Sequence, residues 1–578
     1  MNGAMYIAAR LKEEGVEKVF GQCGHTNYGL IDACQRHGIE YVSFRHEQLA
    51  AHAADAYYRV TRKLAVLNVH LSPGMTNAIT GVISAAGDST PMIVFAGNTP
   101  SYHHAREAHQ SIRFHADASQ GDIYKPFCKR VWRADDAKFL PDIMNSALNL
   151  AQTGRPGCVL IDVPMDVFAQ QIPQGQEGNT KHRRPNYEAA AGSPEGIAAA
   201  VKLLSSAKRP TLYAGNGVAL SQAQPELKEL AELGGYPVAT TLTAKGQFPE
   251  THDLSVGCTG IWGARSANNI CHDADVILAI GTAFGEADCS SWKSDIVFNI
   301  PDGTKLIQID IEATEIGKSY PAEIGIVGDA KRTLRAIIDE LKKAKVTPDK
   351  ARAAVISKAK ADWEVEVSQT QSDTNKPIHP ARLLKEIIKA APADAIYVTD
   401  VGWNKNGAGQ QLRVSTPNSF LTSGGMATMG FAPAAAIGAK IGAPDRKVIG
   451  MVGDGGLTSA LGAFATAVEL NIPVLWILFN NFCFSTIQTV GTTYFKNSYG
   501  TVFTTPDGKL YNPDFQLLAK SFGLECDIVH EPDDLPRGLK QALASNKPYL
   551  LEVRTRGDVP MPRTGYWDIA DFLKLGND

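Results

Sequence analysis

The chain has 578 residues, with 57 basic against 60 acidic side chains and a net charge of −3. That length is too great for one hydrophobic core and implies three or four domains. The balanced charge leaves no footprint for nucleic acid or an anionic membrane surface. Nine scattered cysteines without a CxxC pair point to a reduced, cytoplasmic setting and away from a zinc site. No apolar run reaches about 18 residues, so no membrane span is expected.

In chain order, short apolar runs alternate with helix-like stretches in three segments, the pattern of doubly wound parallel α/β sheets. The first segment, residues 1–173, has strand candidates at Lys18–Phe20, Tyr41–Phe44, Leu64–Val69, Met92–Ala96 and Cys158–Asp162. The stretch Gln174–Ser193 reads as a linker. The second segment, residues 194–343, has strands at Pro210–Ala214, Val276–Ile280 and Lys305–Ile309. A charged stretch, Ala344–Lys376, forms a second linker with room for a helix. The third segment, residues 377–578, has strands at Ala395–Thr399, Lys447–Val452, Val474–Phe479 and Tyr549–Val553. The tail Met561–Asp578 either closes over a site or lies on the surface; its sequence does not decide.

The densest signal lies in the third segment. Gly453-Asp454-Gly455-Gly456 is followed by a helix-like run, Leu457–Leu470, and then by Asn480-Asn481. Oxygen ligands therefore fall at the ends of two neighbouring strands of one βαβ unit. The Asp454 carboxylate and the Asn481 amide oxygen suit a hard cation such as Mg²⁺, which often shares its shell with a phosphate. The glycines let backbone approach that phosphate, and a helix opening near Leu457 aims N–H groups at it.

This stretch resembles the thiamine diphosphate signature of the acetolactate synthase/pyruvate oxidase/benzoylformate decarboxylase family, and the resemblance covers nearly the whole chain. It implies pyrimidine-binding, middle and diphosphate-binding domains in that order. Asp454, Asn481 and the backbone carbonyl of Cys483 would hold Mg²⁺, with Gly453, Gly455, Gly456 and Phe484 beside the cofactor. Glu47, in Arg45-His46-Glu47, falls on the family's glutamate. In isolation such a residue is usually a solvated charge; here it would share a proton with the cofactor's pyrimidine ring, so that the ring's own amino nitrogen takes the C2 proton. His46 beside it reads as structural. Pro73 and Asn77 lie in Ser72-Pro73-Gly74-Met75-Thr76-Asn77, similar to the family's GPGxTN loop. Gly402, Trp403 and Asn404 lie in Asp400–Asn404, similar to the TDVGQH diphosphate loop but departing from it at Trp403 and Asn404. Thr422–Gly430 resembles TSGGLGTMG, which places Met429 beneath the cofactor and the Ala427 carbonyl against its amino group.

Three histidines bear on the reaction. His25 follows the first strand, where acetolactate synthases carry glycine, and His70 stands where benzoylformate decarboxylase has a catalytic histidine. His115 falls near a family glutamine. A histidine can donate and accept near neutral pH, so these are candidates for proton relay. The His25/His70 pair also resembles cyclohexane-1,2-dione hydrolase. Ile487 replaces the glutamate of pyruvate decarboxylases, and Val490 replaces a tryptophan of acetolactate synthases. AFGEADCSSW stands where the family has RFDDR, so functional FAD is not expected despite Gly215-Asn216-Gly217 and Gly281–Gly285. The expected activity is a thiamine diphosphate- and Mg²⁺-dependent carbon–carbon lyase or carboligase on small carbonyl substrates, acting through a C2 carbanion. Alternatives are an acetolactate synthase catalytic subunit, a diketone-cleaving hydrolase, a benzoylformate decarboxylase-like enzyme and an inactive cofactor-binding paralogue. A homodimer at minimum, and a homotetramer by family resemblance, is expected.

Overall fold

The computed structural model describes residues 1–103, 106–112, 119–175 and 189–572. Their core is three six-stranded sheets in which every strand pairing is parallel. The first contains β1 (Lys18–Gly21), β2 (Glu40–Ser43), β3 (Ala65–His70), β4 (Met92–Asn98), β5 (Arg130–Arg133) and β6 (Cys158–Pro164), in the order β2-β1-β3-β4-β6-β5. The second contains β7 (Pro210–Ala214), β8 (Val238–Thr240), β9 (Ser255–Cys258), β10 (Val276–Ile280), β11 (Lys305–Asp310) and β12 (Ile324–Val327), in the order β12-β11-β10-β7-β8-β9. The third contains β13 (Ile396–Thr399), β14 (Phe420–Thr422), β15 (Val448–Gly453), β16 (Leu475–Asn480), β17 (Glu525–Val529) and β18 (Tyr549–Arg554), in the order β14-β13-β15-β16-β18-β17. The first and third sheets thus share one topology. The middle sheet has the strand order of a dinucleotide-binding fold.

Central strands such as β4, β6 and β16 are buried along their whole length, which is why they read as continuous apolar runs. The strands that the apolar pattern does not mark are short or lie at edges: β8 and β14 have three residues each, and β5 and β17 close one end of their sheets. An edge strand tolerates charge, as in RVWR and ECDIV, so it carries no apolar run. The charged stretch at 344–376 does contain a helix, Lys350–Gln371, which opens with the Asp349 side chain accepting from the Ala351 N–H and buries Ile356, Trp363 and Val367 along one side. Most of the expected linker at Gln174–Ser193 lies outside the described residues. Among the described residues no helix is long and apolar enough to cross a membrane.

The first and third sheets are joined through two alanine-rich helices, Glu47–Thr61 and Phe431–Gly442. Small side chains let their backbones meet, and a Cβ on Gly438 would collide with the carbonyl oxygen of Ala53. Arg59 crosses the same seam: it donates to the Thr422 carbonyl (2.7 Å) and pairs with Asp55 (2.7 Å) and Asp88 (2.6 Å). Glu47 opens one of these helices, so its place is set by the joint.

Candidate active site

On the third sheet, β15 ends at Gly453 directly beside Phe479 of β16. Asp454 opens a short helix, Asp454–Thr458, and is only 2% exposed. Its Oδ2 accepts from the main-chain N–H of Phe482 (2.7 Å) and Asn481 (3.2 Å) and from Nδ2 of Asn512 (2.9 Å). Its Oδ1 accepts from the N–H of Gly455 (2.9 Å). Burial pushes this carboxyl above its ordinary range, and those four bonds pull it back down. Asn481 Oδ1 accepts from the N–H of Cys483 (3.2 Å), and Phe482 between them has a left-handed φ of 60°. Phe484 follows, its ring set edge-on against Phe503. The helix expected over Leu457–Leu470 is interrupted. The Thr458 and Ser459 hydroxyls bond back to the Asp454 and Gly456 carbonyls, and a second helix starts at Gly462.

Asp400, fully buried at the end of β13, ties this region together. It accepts from the N–H groups of Val401 (2.8 Å), Ala432 (3.1 Å) and Gly430 (3.2 Å), and burial pushes it up to about 6. Asn404 donates to the carbonyls of Asp400 (2.9 Å) and Met451 (2.8 Å), which leaves its Oδ1 facing Gly402 and Gly453. Gly402 has φ 123°, a conformation open only to glycine. The Trp403 indole points elsewhere: it is buried and donates to the Pro560 carbonyl (3.2 Å), so this residue offers the loop only its backbone. Ala427 is held left-handed at φ 46°, and Met429 is 42% exposed beside it.

On the first sheet, Glu47 is 5% exposed. Nδ2 of Asn77 donates to its Oε2 at 3.0 Å. The Gln22 amide is satisfied only with its nitrogen toward Glu47, where it lies 3.1 Å from each carboxylate oxygen. His46 caps the helix, its Nδ1 accepting from the Gln48 N–H (3.2 Å). Pro73 is exposed in the first turn of the helix Leu71–Gly87, where its fixed φ suits it. His25, from the turn after β1, and His70, the last residue of β3, come together with ring centroids 4.6 Å apart. His70 Nδ1 meets the Thr26 hydroxyl (2.8 Å) and its Nε2 meets Gln110 Oε1 (3.1 Å). Burial draws the His70 imidazole below its ordinary range, with the Gln110 bond opposing. Leu71 then takes a left-handed φ of 49°. Leu71, Ala427 and Phe482 are three of the non-glycine residues in this conformation, which others of the chain, such as Arg62 and Asn418, also adopt away from this region. His115 lies outside the described residues.

Sequence reading passes over Gln22, Asn512 and Gln120. Gln120 is buried and links the Ser72 hydroxyl (3.1 Å) to Asp162 (2.9 Å), itself pushed up to about 6 by burial. Each is an uncharged amide in or beside a connection between elements, too common a feature to single out without its neighbours.

Between the sheets lies a cavity of about 390 Å³, beyond the carboxyl ends of β7, β10 and β11. This is the switch point of the middle sheet, where open α/β folds take ligands. Asp88, Asp288, Asp310, Glu315 and Asp329 line it with one guanidinium, Arg155, and Gly425 reaches it from the third sheet. Burial pushes Asp288 and Asp310 up to about 6.

The Asp454 carboxylate and the Asn481 amide oxygen are the kind of ligand a hard divalent cation takes. A Cβ on Gly453 would meet only Asn404 Oδ1, at 3.9 Å, so the adjoining space is open for a diphosphate. The N-terminal TPP binding domain of thiamine pyrophosphate enzymes matches residues 1–119, their central domain residues 197–337 and their C-terminal TPP binding domain residues 400–553. A probable acetolactate synthase large subunit of Methanocaldococcus jannaschii is 36% identical over 96% of this chain and 92% of its own length. That of Methanococcus aeolicus is 35% identical over the same shares. The acetolactate synthase large subunit of Corynebacterium glutamicum is 32% identical over 96% of this chain and 86% of its own length. With three domain matches in family order and relatives aligned end to end, the chain belongs to the thiamine pyrophosphate enzymes and is a thiamine pyrophosphate-dependent enzyme of carbon–carbon bond chemistry.

Proposed function

We propose that this chain is a thiamine diphosphate- and Mg²⁺-dependent carboligase of 2-keto acids, with the acetolactate synthesis named for its relatives as its first reaction. The observation that carries this reading is the buried Asp454 beside Asn481 at adjacent strand ends, with a second buried carboxylate, Glu47, at the end of an equivalent sheet. When bound, thiamine diphosphate supplies an electron sink that lets the bond beside a carbonyl break and re-form. Asp454, Asn481 and the Cys483 carbonyl would hold Mg²⁺. Gly453, Gly455, Gly456, Phe484, Gly402, Asn404 and the backbone of Trp403 would hold the diphosphate, and Ala427, Met429, Pro73 and Asn77 would hold the rings. Glu47 is the carboxylate placed to give and take a proton, aimed by the amides of Gln22 and Asn77.

The domains run over residues 1–173, 194–343 and 377–578. The active unit is a homodimer or a pair of them, since the family resemblance implies that Glu47 of one copy serves the metal site of another; light scattering that finds an active monomer overturns this. Nine free cysteines, most of them buried, support a reducing, cytoplasmic setting. The acid-rich lining of the middle cavity supports an enzyme that works without FAD, whose diphosphate would face five carboxylates and one arginine.

A second reading, cleavage of a cyclic or linear diketone, is favoured by the His25/His70 contact, which places two imidazoles together at strand ends near Glu47. The deciding experiment incubates the chain with pyruvate, other 2-keto acids and cyclohexane-1,2-dione, with and without thiamine diphosphate and Mg²⁺, and reads products by mass. Acetolactate from pyruvate supports the first reading, and ring opening supports the second. No cofactor-dependent product from any of them overturns both. Replacing His70 with Ala then lowers turnover about 10²-fold or more if its imidazole moves a proton.

A further inference from the structure

The loop Thr422–Gly430 is held at its two ends and open between them, with Met426 and Met429 in solvent. At its far end the Gly430 N–H donates to Asp400 (3.2 Å), within the third domain. At its near end, where β14 runs out, the first domain reaches across. The turn Gly424–Met426 packs on the end of the helix Leu71–Gly87, whose capping residue is Asp88. Arg59 donates to the Thr422 carbonyl (2.7 Å).

Asp88 divides its two oxygens between these partners. Oδ2 pairs with Arg59 (2.6 Å), and Arg59 is itself fixed by both oxygens of Asp55 (2.9 and 2.7 Å), to which the Thr90 hydroxyl also donates (2.6 Å). Oδ1 lies against the Cα of Gly424: a Cβ there would stand 1.9 Å from it. Gly424 also holds a left-handed φ of 49°, so glycine is required both for the conformation and for the room. The Asn216 side chain, from the turn after β7, donates to the Asp88 carbonyl (2.9 Å), which fixes the main chain of Asp88 as well. Beyond Gly424 the Ala427 N–H closes back on the Ser423 carbonyl (3.2 Å). A shift at Gly424 is therefore carried directly to Ala427 and Met429.

We propose that Arg59 and Asp88 are positioning residues for the loop that carries Ala427 and Met429: Arg59 draws Thr422 in by its carbonyl, and the Asp88 carboxylate is the template against which Gly424 is laid. This inference rests on the assignment of Ala427 and Met429 to the cofactor rings. Asp454 and the turn at Gly402 are held by other bonds, so loss of the template should disturb the rings and spare the diphosphate anchor. A displacement of about 1 Å in a positioning group can slow a reaction by about 10²-fold.

The test uses the full chain saturated with thiamine diphosphate and Mg²⁺. It reads proton–deuterium exchange at the cofactor's C2 beside calorimetric cofactor affinity and melting temperature. Asp88→Ser removes the template and is expected to slow exchange about tenfold, with affinity kept within about threefold. Gly424→Ala drives a methyl group into Oδ1 and is expected to slow exchange about tenfold as well. In the double variant the serine gives that methyl room, so the two losses should not multiply and should stay near tenfold in all. A loss of about a hundredfold in the double variant, as for independent sites, overturns the proposal. So does native exchange in either single variant, including the case in which only the melting temperature falls. Met429→Ala is the reference for the assignment beneath it: native exchange there removes the rings from this loop, whatever Asp88 does. If Asp88→Ser melts before it can be measured, Arg59→Lys keeps the charge but not the fork that spans Asp88 and Thr422. It must then slow exchange with affinity kept, and a native rate overturns the proposal equally.

Discussion

Glu47 and Asp454 sit on sheets of the same strand order, each at a strand end and each almost fully buried, yet they are held by different means. Asp454 is gripped mainly by main-chain N–H groups of its own turn and of the turn after the next strand. Glu47 is gripped by two side-chain amides, Gln22 from the turn after β1 and Asn77 from the helix Leu71–Gly87. A main-chain grip fixes an oxygen to the accuracy of the sheet itself, which suits the rigid geometry of a metal anchor. Rotatable amides can follow a carboxyl group as it gains and loses a proton, which suits proton transfer. Under the roles proposed above, one topology would serve two tasks, and the difference would lie in whether main chain or side chains supply the donors.

Four experiments break or sharpen that contrast. The largest effect is expected from Glu47→Gln, which keeps shape but cannot share a proton. Proton–deuterium exchange at the cofactor's C2 should slow about 10²–10⁴-fold with cofactor affinity largely kept, and native-rate exchange would remove Glu47 from proton transfer. Asp454→Ala should do the reverse, weakening Mg²⁺-dependent cofactor binding by about 10²–10³-fold by calorimetry, as expected for losing one partner of a buried charge pair. Equal cofactor loss in both variants would erase the distinction. Replacing Gln22 with Leu should slow C2 exchange about tenfold without changing metal affinity, since it removes one of two clamps on Glu47 alone; a metal effect would show that the two sites are not separable.

The smallest effect concerns the helix that carries Glu47. His52 is fully buried there against Phe431, and burial draws its imidazole from 6.5 down to about 4. The folded state therefore keeps His52 neutral at a pH where the unfolded chain binds a proton. Its contribution to stability is complete above about pH 6.5 and is lost as pH falls from 6.5 toward 4, by about 3 kcal/mol at most. In His52→Phe the melting temperature should lose less than the native chain across that window; an identical slope would rule His52 out as the source.

Much of this was legible in the sequence, for stated reasons. Strands buried on both faces announce themselves as apolar runs, so β4, β6, β10 and β16 were readable, whereas the edge strands β5 and β17 carry charges and were not. Strand–helix–strand order was enough to expect Asp454 and Asn481 at adjacent strand ends. The break at Ser459 was hidden, because it depends on hydroxyls bonding back to carbonyls within an apolar run. Trp403 shows the opposite limit: its position in a motif suggested a ligand contact, while its side chain fills space beneath the C-terminal segment. Gln22 and Asn512 were invisible because an amide gains meaning only from the carboxylate that folding brings to it.

The seam at Ala53 and Gly438 also decides where motion can occur. Two helices whose backbones touch have no side-chain layer to shear through, so the first and third sheets move as one body. Local opening is then expected first in segments with little buried surface. These are the stretch from Ser485 to Tyr511, with Ile487, Phe495, Tyr499, Leu510 and Tyr511 in solvent, and the loop bearing Met426 and Met429. Amide hydrogen exchange would follow this division directly, slow across the seam and fast along those two segments.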